Sequence, residues 1–325
     1  MIEVRAYGRL VIIQGTGRPG FLSRGLAGGG AADVLALAEA TALLGGACGA
    51  GIETPGSPLR LRFEQPCTVA LTGAPMRAET GGRMLQWNTA QPLEAGAVLD
   101  LRPTGEGAYS YVHVAGGLET EDVLGGRSAH LIANIGRPLE AGDILPCKPS
   151  QGTARKLDAA PERLGGGTLR LVATPQTRLF AEEMIARFTR TEFTRDMRGN
   201  RQGVRLNTDG PGFATDGQLS LLSDFIRPGD VQMTGDGVPY VLGPECQTTG
   251  GYPRIGTVIA ADLPRALQAM PGATLRFRFV TLGEARAASA GRPRAVPLVR
   301  DPRDVPNLLS MQLVSGMISA QTPED

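Results

Sequence analysis

Residues 247–253 read Gln247-Thr248-Thr249-Gly250-Gly251-Tyr252-Pro253 and follow the apolar run 238–242. Adjacent glycines accept positive φ and let backbone N–H groups approach another molecule closely. The threonines add hydroxyl donors and acceptors. A loop of this kind can cradle an anion or a carbonyl oxygen. The same composition also describes a tight turn between two strands.

Other stretches carry similar chemistry. Gln14-Gly15-Thr16-Gly17-Arg18-Pro19-Gly20 contains a literal G-x-G-x-x-G after an apolar strand. A dinucleotide site needs a helix to open inside that motif. Here Pro19-Gly20 leads into a glycine-rich stretch with no helical period, so a dinucleotide site is rejected. Arg18 has two readings: a bidentate ligand for carboxylate or phosphate, or a loop pin bonded to backbone carbonyls. In Asn200-Arg201-Gln202-Gly203-Val204-Arg205, an extended strand would put Arg201, Gly203 and Arg205 on one face, an anion patch open to close approach. The competing reading is a solvated charged strand. Gln232 closes Gly229-Asp230-Val231-Gln232, and Glu245 lies two residues before Gln247. His113 and His130 are the only histidines; no nucleophile elbow accompanies them, so both read as structural or surface residues.

The elements that must position these residues read as mostly β. Short apolar runs at 10–13, 59–63, 68–71, 109–114, 168–172, 238–242, 257–259 and 275–280 are candidate strands. A turn-plus-strand device recurs at 93–99, 139–145, 227–231 and 270–275, two copies in each half, each with glycine in the turn. Helices are expected over about 32–44, 180–188 and 263–270; Asp33 reads better as the cap of the first than as a ligand. The expected organisation is an N-terminal β-rich lobe with one helix over 1–150, a linker over 151–167, a second β lobe over 168–285, and a tail over 286–325 ending in a short apolar helix.

Composition narrows the partners. The chain has 325 residues, 42% hydrophobic and 20% charged, with net charge +1. Such a balance points to no nucleic acid and no anionic membrane. Only Lys148 and Lys156 are lysines, so arginine supplies cationic recognition. Cys48, Cys67, Cys147 and Cys246 form no C-x-x-C pair and read as small buried apolar residues; no metal site follows from their spacing. With no leader-like start and no 18-residue apolar run, the expected location is the cytoplasm.

Taken in order, these motifs resemble one family over roughly residues 1–285: the carboxyltransferase-like proteins of allophanate hydrolase subunit 2. It includes the C subunit of ATP-dependent 5-oxoprolinase, the Kip-type antagonist of a sporulation kinase inhibitor, and part of the carboxyltransferase domain of urea amidolyase. The resemblance implies two cyclophilin-like β-barrel lobes. It implies a heteromeric enzyme with a Kip-type inhibitor-like partner (the B type in 5-oxoprolinase), with a lactam hydrolase subunit as a further candidate, acting on a small molecule. The first functional reading is an ATP-dependent amide or lactam hydrolase, in which arginines and glycine N–H groups stabilise phosphate or a developing oxyanion. The second is half of a biotin-dependent carboxyltransferase taking carboxybiotin from a separate carrier to a urea-like acceptor. The third is a non-catalytic antagonist of an inhibitor-like protein. The substrate-binding residues so implied are Gln14, Gly17, Arg18, Gly20, Asn200, Arg201, Gly203, Arg205, Gln232, Glu245, Gln247, Thr248, Thr249, Gly250, Gly251 and Tyr252. Glu53 falls at a family glutamate and reads as an acid or as the buried partner of an arginine. The chain departs from the family pattern at Gly15, Ala129, Asn200, Gln202 and Val204.

Overall fold

Three sheets carry the two halves of this chain, described here for residues 1–215, 221–288 and 293–298 of a computed structural model. The first half folds into a six-stranded and a seven-stranded sheet. Alternation on Leu59–Phe63 and Val98–Pro103 turns Leu59, Leu61, Phe63, Leu99 and Leu101 inward, where they share one core with Val69, Leu71, Val112 and Val114 of the other sheet. The second half is a closed seven-stranded barrel. In it Gly167–Val172 runs parallel to Thr274–Phe279, and Phe193–Asn200 forms a hairpin with Gly203–Asn207. Its core holds Phe188, Phe193, Phe213 and Phe277, with ring centroids 4.7–5.6 Å apart. Asp224–Phe225 and Thr249–Gly250 pair as a separate two-stranded ribbon beside the barrel, where Arg254 donates to Phe225 O.

The recurring device explains several strand entries. In all four copies the turn glycine (Gly96, Gly142, Gly229, Gly272) has φ between 80° and 93°. In each, the next residue's N–H donates to the carbonyl three residues back: Ala97 to Glu94, Asp143 to Glu140, Asp230 to Arg227, Ala273 to Met270. Positive φ at the third position with that bond is a type II turn, and glycine takes it without steric cost. The strands Val98–Pro103, Ile144–Leu145, Asp230–Met233 and Thr274–Phe279 follow directly.

The helices are α1 (Val34–Leu44), α2 (Glu182–Arg190), α3 (Leu263–Gln268) and α4 (Leu282–Ala287). Asp33 caps α1 through Leu35 and Ala36 N–H, as the sequence favours. α4 was missed, although Thr281 and Glu284 close a capping box over it. Residues 151–167, read as a linker, contain the strand Arg155–Leu157, which extends the seven-stranded sheet. They also contain Arg163, buried against Asp33 (2.6 Å) and Glu39 (2.6 and 2.8 Å). Gln268 of α3 donates to the same Asp33 carboxylate and to Tyr109 O, both at 2.8 Å, tying the barrel to the first half. From the expected tail, Ala295–Pro297 pairs with Arg155–Leu157; the helix expected near 308–318 lies outside the described residues. No helix among the described residues is long and apolar enough to cross a membrane.

Candidate functional site

A cavity of about 280 Å³ opens at the mouth of the barrel. Asn200 and Gly203 face each other across the hairpin that turns at Arg201-Gln202. Gln232 comes from Asp230–Met233, and Tyr240 and Leu242 from Pro239–Leu242 beside it. Cys246, Gln247 and Tyr252 close the wall from the Thr/Gly loop. The lining is mostly neutral: four carboxamides (Asn200, Gln202, Gln232, Gln247), two phenols and one thiol. Its one guanidinium, Arg198, is held by Asp196 at 2.9 and 3.1 Å.

Gln232 stands out. The residue is 7% exposed, and its buried Nε2 has no hydrogen-bond partner. A buried amide donor left unsatisfied costs about 1–3 kcal/mol. Gly250 makes room for it: a Cβ there would sit 2.8 Å from Gln232 Nε2. Gly250 therefore serves by lacking a side chain; neither it nor Gly251 adopts positive φ, and a Cβ at Gly251 would meet only ordinary contacts. Thr249–Gly250 lies extended against Asp224–Phe225, and Thr248 O accepts the Ile226 N–H.

The structure sorts the expected binding residues into separate places. Asn200, Gly203, Gln232, Gln247 and Tyr252 meet in the barrel cavity. Arg201 sits in the hairpin turn rather than on a strand face with Gly203 and Arg205. Its Nε donates to Glu245 at 2.6 Å, and its other nitrogens donate to Glu53 Oε1 and Gly30 O. Glu53 Oε2 in turn accepts from Tyr111 OH (2.7 Å) and Ala32 N (2.9 Å). Burial by itself would lower the Arg201 pKa; Glu53 and Glu245 outweigh it and hold it above the ordinary value. Arg205 is matched by Asp196 (2.7 Å) and Asn207 (2.6 Å). The anion patch expected of these two arginines thus has its charge met by carboxylates.

The N-terminal loop lies elsewhere. Arg18 is 1% exposed and donates to Val123 O (2.7 Å) and Gly126 O (2.9 Å), the geometry of a loop pin. Gln14 Nε2 donates to Ala129 O at 2.9 Å, and Ser128 Oγ accepts from Gly15 and Gly17 N–H. Gly17 lines a second hollow with the outer face of α1 and residues 125–127, while Gly20 is exposed. Both histidines are buried with neither ring nitrogen bonded. Arg198, Gly199, Gln202, Thr234, Tyr240, Leu242 and Cys246 were missed as cavity residues. Alternation along 238–242 was the available signal, since it puts Tyr240 and Leu242 on one face.

Comparison with known proteins agrees with this architecture. The C subunit of 5-oxoprolinase from Escherichia coli (strain K12) is 32% identical over 299 residues, covering 90% of this chain and 96% of that protein. The urea amidolyase of Lachancea kluyveri is 23% identical over 92% of this chain but only 18% of its own length. The crystal structure of the Kluyveromyces lactis urea carboxylase superposes with a TM-score of 0.78 at 25% identity, over 88% of this chain and 28% of that one. The model of the carboxyltransferase domain, subdomain A and B, matches residues 24–279, well over half of the sequence, and the chain belongs to that family.

Proposed function

We propose that this chain is the C-type subunit of a heteromeric, ATP-dependent lactam hydrolase of the 5-oxoprolinase kind, and that its barrel cavity holds the amide to be opened. The observation that carries the reading is the unpartnered Nε2 of Gln232, a residue that lines a cavity walled by carboxamides and phenols. A ring amide offers the carbonyl acceptor that this donor lacks, and the neighbouring carboxamides supply both donors and acceptors for its N–H. The extent of the match supports the subunit role, since nearly all of the 5-oxoprolinase chain is covered.

The same lining fits the amide of a small ring better than a triphosphate, because its guanidinium is already engaged by Asp196. In the proposed enzyme the nucleotide is therefore handled by a partner, a Kip-type inhibitor-like subunit or a lactam hydrolase subunit, with this chain orienting the carbonyl. The complex works in the cytoplasm. The family match favours a second reading, half of a carboxyltransferase whose carboxybiotin arrives on another protein. A ureido group presents the same carbonyl and N–H pattern.

The test is reconstitution with both partner subunits and measurement of ATP hydrolysis as 5-oxoproline is added. Substrate-dependent turnover that falls in Gln232→Met supports the hydrolase. No substrate-dependent turnover, with transfer of carboxyl from a biotinylated carrier to urea, moves the assignment to the second reading.

A further inference from the structure

A third hollow, of about 350 Å³, lies in the first half between Ile13, Arg18 and the segment 120–145. Much of its wall is apolar: Ile13, Val123, Ile135, Leu139 and Leu145. Three polar residues line it as well. Arg18 is 1% exposed, and the bonds that pin its loop use two of its three nitrogens, Nε to Val123 O and Nη2 to Gly126 O. The third, Nη1, is buried and has no partner. Gly126 makes room for this side chain, since a Cβ there would sit 2.9 Å from Arg18 Cγ. Thr120 Oγ1 is also buried without a partner. Ser128 Oγ accepts from Gly15 N (2.9 Å) and Gly17 N (3.2 Å), which leaves its own proton free to donate.

The charge here is unbalanced. Both partners of Arg18 are carbonyls, and no carboxylate among the described residues forms an ion pair with it. Burial draws the guanidinium below its ordinary value, against the pull of Asp122 through space. A buried charge is ordinarily met by an opposite one. Asp143, a carboxylate in the wall, is already held by both terminal nitrogens of Arg137, at 2.6 and 2.9 Å. Glu121 lines the hollow too, but it is exposed and stands with Arg127 on the rim. The hollow thus joins a buried cation and two hydroxyls to an apolar wall.

We propose that this hollow binds a small aliphatic carboxylate, with its oxygens on Arg18 Nη1 and the Thr120 and Ser128 hydroxyls and its chain against the apolar wall. A carboxylate supplies the charge that Arg18 lacks and accepts from several donors at once. A neutral amide of the same shape leaves the charge unmet and sets its own NH2 against donors. Phosphate leaves oxygens facing hydrocarbon, where they lose water and gain nothing. The volume is at the lower end of small-molecule pockets, about 300–1,000 Å³, so the chain has a few carbons. Solvent does not reach either unpartnered atom, and the ligand enters by parting the exposed rim of Glu121 and Arg127. This site is separate from the barrel cavity and shares no residue with it.

The experiment is calorimetric titration of the full chain with pentanoate, compared with pentanamide and inorganic phosphate. The expected result is saturable one-to-one binding of pentanoate, with pentanamide weaker by about tenfold or more and phosphate giving no binding heat. Thr120→Val should weaken pentanoate by roughly tenfold. That hydroxyl bonds to nothing in the protein, so the fold should stand, and thermal unfolding checks that it does. Arg18 is a poorer first target, because it also pins Val123 and Gly126. Absence of saturable pentanoate binding would overturn the proposal. So would equal affinity for pentanamide or phosphate, or wild-type affinity in folded Thr120→Val.

Discussion

Replacing Gln232 by Met tests the cavity most directly. Methionine keeps the unbranched length of the side chain and removes the amide. Gln232 Nε2 is buried without a partner, a state that costs about 1–3 kcal/mol. Gln232→Met should therefore raise the stability of the free chain, by about 1 kcal/mol once the poorer fit of the thioether is allowed for. At about 2–4 °C per kcal/mol, Tm should rise by a few degrees. Ligand binding should move the opposite way. A lost carbonyl hydrogen bond is worth about 1 kcal/mol, so affinity for the ring amide should fall roughly fivefold. Thermal unfolding with and without substrate reads both quantities on one sample. A lower Tm with unchanged affinity would refute the reasoning, since it would mean that Gln232 serves only the fold.

Gly250→Ala should displace the Gln232 amide, because its methyl would lie 2.8 Å from Nε2, the movable end of a side chain. Equilibrium unfolding should change little while substrate affinity drops, which calorimetric titration can separate. Stability should also fall on acidification through His113, whose pKa is driven down to about 4 by burial. Between about pH 6.5 and 4 the unfolded chain binds a proton that the folded chain refuses. That contribution is complete above pH 6.5 and is lost as pH falls, by ~3 kcal/mol over the window. Urea unfolding from pH 7 to 4.5 should show this slope, and His113→Phe should flatten it; an unchanged slope would place the titration elsewhere.

The strand entries were legible because they are local. Arg227-Pro228-Gly229-Asp230 names its own turn, and the structure supplies the φ and the bond that the turn requires. Asp33 was legible as a cap for the same reason. The site was less so. Gln232, Gln247 and Asn200 were recognisable by type, but their meeting depends on barrel closure, which joins residues far apart in sequence. Arg201 was read as a ligand because two nearby arginines suggest an anion. Its carboxylate partners lie 148 and 44 residues away, so nothing local distinguished a buried ion pair from a binding group. Arg163 was hidden by its surroundings. Pro and Gly in 151–167 mark irregular backbone, yet irregular backbone can still deliver one buried guanidinium.

The Arg201 cluster also explains how the first half shapes a cavity it does not line. One guanidinium stands between two buried carboxylates, Glu53 and Glu245. Such a cluster is weak evidence for stability, because apolar replacements often do as well; what it supplies is register. The hairpin turn has to satisfy Glu53, Gly30 O and Glu245 together. The same turn then fixes the next loop, through Gly243 N to Gln202 O (2.8 Å) and Glu245 N to Arg201 O (2.9 Å). Cys246 and Gln247 follow at once as cavity wall. Glu53→Gln tests this coupling with almost no change of shape. Both Glu53 oxygens act as acceptors, one toward Arg201 and the other toward Tyr111 OH and Ala32 N–H. The new NH2 must face one of those donor sets, so at least one bond is lost in either orientation, at about 1–3 kcal/mol. Stability should fall by that amount. Substrate affinity should fall with it, because the loop carrying Gln247 is no longer held in one place. Loss of stability with affinity intact would show that the barrel sets its own cavity and that the cluster only joins the halves.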